Sequence, residues 1–127
     1  MKIALGTVGH FGLAVRDPRN SARWWKSLFD LETMFEAEEY IGLTNKNVTI
    51  VLFKGVPHPE TIEHVSYRLP SVQALRSALD SLKEHDVEIE DPGDEIGPEA
   101  EGSTNVGLWF HDPDGYRWEL SVQGSGA

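Results

Sequence analysis

The chain has 127 residues, 39% hydrophobic and 25% charged, with no cysteine and a net charge of -10 at pH 7. That length bounds one compact domain with a core of its own, and the composition argues against disordered and fibrous classes. The lack of thiols excludes disulfide scaffolds, thiolate metal sites and cysteine nucleophiles, and the acidic balance argues against nucleic acid and anionic lipid as partners.

No apolar run approaches the roughly 18 residues that cross a bilayer. Met1 to Gly6 is too short and too weakly apolar for a secretory signal, so a cytoplasmic location is expected. Thr7 to Val15 reads as a strand. Asp17-Pro18 then opens a helix that runs through Phe29, capped by Asp17 or Asn20, with Trp24, Trp25, Leu28 and Phe29 as its buried stripe. Two strands are expected near Tyr40 to Thr44 and Val48 to Phe53, parted by the turn-prone Asn45-Lys46-Asn47. Gly55, Pro57 and Pro59 mark a linker.

The order then repeats, with a strand from Ile62 to Leu69 and a helix from Ser71 to Glu84. That helix is capped by Ser71 and carries Val72, Leu75, Leu79 and Leu82 at helical spacing. Val87 to Ile89 is a short strand candidate. Nine of the eighteen residues from Glu84 to Glu101 are Asp or Glu and none is Lys or Arg, which reads as a solvated loop and alternatively as a rim for cationic ligands. A last hairpin spans Asn105 to Val122, turning at His111-Asp112-Pro113-Asp114-Gly115, where Pro fixes a negative φ and Gly supplies a positive one. The chain is thus strand, helix and strands twice over, with His64 standing 54 residues after His10. The repeat is one of pattern rather than of letters.

Side chains alternate across a strand, so each strand divides into two faces. Phe11, Leu13 and Val15 oppose His10, Gly12 and Ala14. Val65, Tyr67 and Leu69 oppose His64, Ser66 and Arg68, and Tyr116, Trp118, Leu120 and Val122 oppose Arg117, Glu119 and Ser121. Three strands therefore bury an apolar face and turn one candidate ligand each, His10, His64 and Glu119, to the other side. Imidazole and carboxylate together suit Fe, Mn, Ni, Co or Zn as divalent ions. A lone strand histidine is nevertheless more often a structural residue, and the pattern alone leaves both readings open.

Gly9-His10-Phe11-Gly12-Leu13-Ala14-Val15-Arg16-Asp17, followed by Ser21 to Lys26 and Leu28 to Glu32, resembles the opening of vicinal oxygen chelate proteins. Phe110 to Leu120 resembles their closing hairpin more closely still. This superfamily includes glyoxalase I, extradiol dioxygenases, fosfomycin-resistance enzymes and bleomycin-resistance proteins. The resemblance covers nearly the whole chain. It implies an α+β fold of two βαβββ modules, about 5–56 and 60–123, forming a curved mixed sheet around a cleft with helices on the outer face. It also implies one domain over 1–127 and a single divalent metal ion held by His10, His64 and Glu119, with Glu119 as the catalytic carboxylate.

Departures from the family pattern narrow the expected activity. The position of glyoxalase I's module-one carboxylate ligand is Val51, which cannot coordinate a metal. Trp109 stands where extradiol enzymes carry an acid-base tyrosine. Fosfomycin-modifying relatives carry basic residues beyond the last strand, and Gln123 to Ala127 has none. Arg68, and secondarily Arg117, are candidates to meet a substrate oxyanion, with ion pairing to neighbouring acids as the rival role. Phe53, Trp109 and Val51 are candidates to wall an apolar substrate pocket, with core packing as the rival. His58 and His111 are expected at the surface. The expected function is a metal-dependent enzyme of the glyoxalase and dioxygenase type, acting on a small substrate chelated through neighbouring oxygens. The alternative is a non-catalytic, bleomycin-resistance-like binder of a cationic aromatic molecule. Exposed sheet edges make a homodimer the expected assembly.

Overall fold

A computed structural model describes residues 1–124, and the last three residues of the Gln123 to Ala127 tail lie outside the described residues. The chain divides into two compact units, one from Met1 to Pro57 and the other from His58 onwards. Among the described residues they make an α+β fold with two helices and two mixed sheets of four and five strands.

The first unit contains β1 (Phe11–Val15), α1 (Pro18–Leu28), β2 (Glu32–Glu36), β3 (Tyr40–Thr44) and β4 (Thr49–Lys54). Its sheet runs β1-β4-β3-β2, with β1 parallel to β4 and the other pairs antiparallel. The expected start of β1 at Thr7 is not observed, since only Phe11 to Val15 finds a partner in β4. Asp17 caps α1, its carboxylate accepting from the Arg19 and Asn20 amides, while Pro18 sits where a missing N–H costs nothing. Leu13, Ile41 and Leu52 form one apolar row across the sheet, and Ile50 pairs with Leu43. All five are buried, with Trp25 and Ala22 from α1. The buried stripe of α1 is centred on Ser21, Ala22 and Trp25. Trp24 and Phe29 instead pack against Trp25 at 5.1 and 5.3 Å between ring centroids.

The second unit opens with a 3-10 turn (Pro59–Thr61), then β5 (Val65–Arg68), α2 (Val72–Glu84), β6 (Glu88–Ile89), β7 (Gly97–Pro98), β8 (Val106–His111) and β9 (Arg117–Val122). The order is β5-β9-β8-β6 with β7 also on β8, and β5 lies parallel to β9. Ser71 caps α2 by accepting from the Ala74 amide at 3.1 Å. Leu75 and Leu82 are buried with Leu108, Phe110, Tyr116, Trp118, Leu120 and Val122, whereas Val72 is 38% exposed and takes no part in the stripe expected of it. Tyr67 stacks on Trp118 at 5.9 Å with 15° between the planes. In the β8–β9 turn, Asp112 accepts from the Asp114 and Tyr116 amides at 2.9 and 3.0 Å and from the Trp118 indole at 3.2 Å, and Gly115 has φ +91. Such a positive φ is strained for any residue with a Cβ.

Candidate functional site

The register of the second sheet places a set of polar side chains on one face. Across it, Ser66 pairs with Glu119 and Glu119 with Trp109, Arg68 pairs with Ser121 and Ser121 with Gly107, and Arg117 pairs with His111. Glu119 is only 1% exposed. Its Oε2 has no hydrogen-bond partner among the described residues. The carboxylate lies across Gly107, where a Cβ would collide with that oxygen. Burial pushes the Glu119 carboxyl above its ordinary range; the Ser66 hydroxyl pulls it down, and the neighbouring Glu99 pushes it further up. Glu99 is held low, first by the Asn105 amide, which donates to it at 3.1 Å.

His64 stands immediately before β5. Its Nδ1 is hydrogen-bonded to the Glu63 carboxylate, and its ring meets Trp109 edge-on at 4.7 Å and 77°. With Nδ1 so engaged, Nε2 is the nitrogen left to ligate a metal. Trp109 is sandwiched further by Arg117, whose Cζ lies 4.0 Å from the ring centroid. Arg117 grips Glu90 through two bonds, Nε to Oε2 at 2.7 Å and Nη2 to Oε1 at 2.9 Å, and reaches Glu63 through Nη1 at 3.1 Å. These bonds from Arg117 hold the Glu90 carboxyl below the usual range, and Glu90 in turn raises Arg117. His111 Nε2 lies 2.9 Å from the same Glu90. Of the two arginines expected to meet a substrate oxyanion, Arg117 thus takes the ion-pairing role. Arg68 is less committed: Nη1 donates to Ser121 Oγ at 3.2 Å and approaches Glu99 at 3.7 Å, and the side chain is 53% exposed.

Glu63, Glu90 and Glu99 were absent from the candidates drawn from the sequence. Glu63 had a signal, its position next to His64. Glu90 and Glu99 sit in the acidic run, which pairs with cations at three places: Arg117 with Glu90, Lys83 with Glu95 at 3.2 Å, and Arg68 with Glu99. β7, buried in that run, is the device that delivers Glu99, because its pairing with β8 at Gly97 and Pro98 leads directly to it.

In the first unit, His10 is exposed just ahead of β1, the counterpart of His64 ahead of β5. Val51 pairs with Gly12 on one side and Gly42 on the other, and Phe35 completes the row. The next row holds Ala14, Phe53 and Tyr40. Phe53 and Tyr40 are 43% and 46% exposed, so Phe53 is not core packing. Among the described residues, no group of three or more His, Asp or Glu side chains within one chain is gathered closely enough to hold a metal ion.

A family model, the Glyoxalase/Bleomycin resistance protein/Dioxygenase superfamily, matches residues 7–120, and the chain belongs to that superfamily. No curated protein matches it. Among solved structures it is similar to the genomically encoded fosfomycin resistance protein FosX from Listeria monocytogenes, at 17% identity, with 97% of this chain and 98% of that chain covered and a TM-score of 0.77. It is similar also to a glyoxalase/bleomycin resistance protein/dioxygenase from Nocardioides, at 13% identity, covering 99% and 89% with a TM-score of 0.76. An integron cassette protein from V. cholerae matches at 18% identity, covering 96% and 98% with a TM-score of 0.72. These likenesses establish the fold. No helix among the described residues is long and apolar enough to cross a membrane.

Proposed function

We propose that this chain is a metal-dependent enzyme of the glyoxalase and dioxygenase type, in which His10, His64 and Glu119 hold one divalent ion and a small substrate meets it through two neighbouring oxygens. The observation that carries this reading is Glu119, a carboxylate removed from water with one oxygen unpaired. Such an oxygen costs several kcal/mol unless a cation or proton satisfies it. The donor set also fits, since it offers imidazole nitrogen and carboxylate oxygen and no sulfur, which suits Fe, Mn, Ni, Co or Zn. FosX has been crystallised with Mn(II) and sulfate, and a Glu-to-Gln mutant of it with Mn(II) and 1S,2S-dihydroxypropylphosphonic acid, which lends the reading support by fold.

A divalent ion held by these three residues would supply Lewis-acid polarisation of the substrate oxygens. The chain's own residues do the rest. Glu63 orients the His64 ring, and Arg117 holds Glu63 and the Trp109 face in place. Arg68 is the cation that meets a substrate oxyanion, and Phe53 and Val51 offer an apolar wall. His10 joins the pair either from the same chain or from a second copy in a homodimer.

Metal analysis of protein purified without chelator tests the proposal. Close to one first-row metal ion per chain is expected, falling sharply in His64→Ala and Glu119→Gln. A wild-type protein that carries no metal and takes up no added Mn(II) overturns it. Activity is then sought among vicinal diketones, catechols and glutathione adducts. A second reading, a binder without turnover, is favoured by the exposed Phe53 and Tyr40 on the open face of the first sheet. It predicts stoichiometric binding of a cationic aromatic ligand that chelators leave unchanged.

A further inference from the structure

On the other face of the first sheet, the side against which α1 packs, Arg19, Arg23 and Lys26 line a groove of about 410 Å³ with Ala22, Ser27, Thr33, Ile41 and one carboxylate, Glu36. That volume lies within the roughly 300–1,000 Å³ of small-molecule sites. The three cations are spaced four and three residues apart, which puts them on one helix face, where like charges destabilise the helix. Arg19 adds a second cost, because it stands in the first turn against the positive end of the helix, and that turn holds no acid. The compensation is thin. Arg19 Nε lies 3.4 Å from the exposed carboxylate of Glu36, and Lys26 Nζ donates to the neutral Thr33 hydroxyl at 2.9 Å. Among the described residues, no ion pair or hydrogen bond holds the Arg23 side chain.

This chain has 21 Asp and Glu against 11 Lys and Arg. Acid is abundant in the sequence, yet the groove is lined by one carboxylate, Glu36, against three cations. Solubility does not explain the cluster either, since the net charge of -10 already serves that end and added cations reduce it. We propose that this groove binds a small oxyanionic molecule, a phosphate or carboxylate on a compact apolar body. Arg23 takes the anion through its planar fork and Lys26 adds a point charge. Ala22 and Ile41, both buried, floor the groove beneath the apolar part.

Calorimetric titration of the full chain with phenyl phosphate, phenylacetate and inorganic phosphate, at ionic strength held constant with NaCl, tests the proposal. Saturable one-to-one binding of phenyl phosphate, phenylacetate or both is expected, tighter than that of inorganic phosphate. Backbone amide shifts should be confined to 19–27 and 33–41. Arg23→Gln, a change at an exposed position, should weaken binding by about tenfold or more, while Arg76→Gln on α2 leaves it unchanged. Heat and shifts that merely follow ionic strength, or equal affinity in Arg23→Gln, overturn it. His64→Ala should bind as wild type does, so failure of the metal reading and failure of this one are told apart.

Discussion

Replacing Glu119 by Gln keeps the shape of the side chain and removes the charge that the proposed metal ion would answer. Divalent-ion affinity is expected to fall by more than about 100-fold, measured by Mn(II) titration, while the far-UV circular dichroism stays unchanged. Glu63→Gln is a milder change, because it leaves His64 present and weakens what orients it. A loss of about 10- to 100-fold in metal affinity is expected, with a shift of the His64 ring towards the other tautomer in ¹⁵N–¹H spectra. A spectrum identical to wild type would show that Glu63 does not position the ring.

Asp112 makes a pH prediction that concerns the fold alone. Burial pushes its carboxyl from 3.8 up to about 6, against the opposing pull of the Trp118 indole and two backbone amides. The folded state therefore holds the proton more tightly than the unfolded chain. Its contribution to stability is full below pH 3.8 and is lost as pH rises through about 6, amounting to a few kcal/mol at most. Urea unfolding of wild type and Asp112→Asn at pH 4.5 and 7 should show the wild type losing more stability between the two. Equal slopes would refute the assignment.

Helices and helix caps were the most legible elements, and short strands the least. Ser71 announces α2 through cap chemistry visible in the sequence, and Ser71→Ala should cost about 1 kcal/mol in chemical denaturation. β2 is not legible in the sequence because Glu32-Thr33-Met34-Phe35-Glu36 lacks a clean alternation, and its pairing with β3 slips between Thr33 and Phe35. β7 is two residues in an acidic run, and only its register with β8 gives it meaning. Gly107 was equally silent: its value lies in the Glu119 carboxylate resting across it. Gly107→Ala should keep the overall circular dichroism yet displace Glu119, reducing Mn(II) binding about as severely as Glu119→Gln. Normal binding in that variant would mean that Glu119 is not needed in this position.

For the molecule as a whole, counting side chains in twos was enough to put Glu119 on the polar face, because strand alternation is a local rule. The company that Glu119 and His64 keep was legible only in part: Glu63 adjoins His64 in the chain, whereas Glu90 and Glu99 act through long-range pairings that no local period encodes. Whether one chain or two complete the ligand set is open to a mixing experiment. His10→Ala and Glu119→Gln chains would each lack one of the three proposed ligands. If the site is shared in a homodimer, refolding them together restores metal binding to a fraction of the sites. If each chain builds its own, mixing restores none.

The parallel pairings of β1 with β4 and β5 with β9 have a consequence for biosynthesis. In each unit the first strand waits for the last, so neither sheet closes by local hairpins alone. On the ribosome, the first unit has all its strands once Lys54 has emerged. The second keeps Leu75 and Leu82 without their β8 and β9 partners until Val122 is made. A nascent chain arrested near Thr104 would therefore present greasy, unfinished helix surface to chaperones while its N-terminal half is already shut.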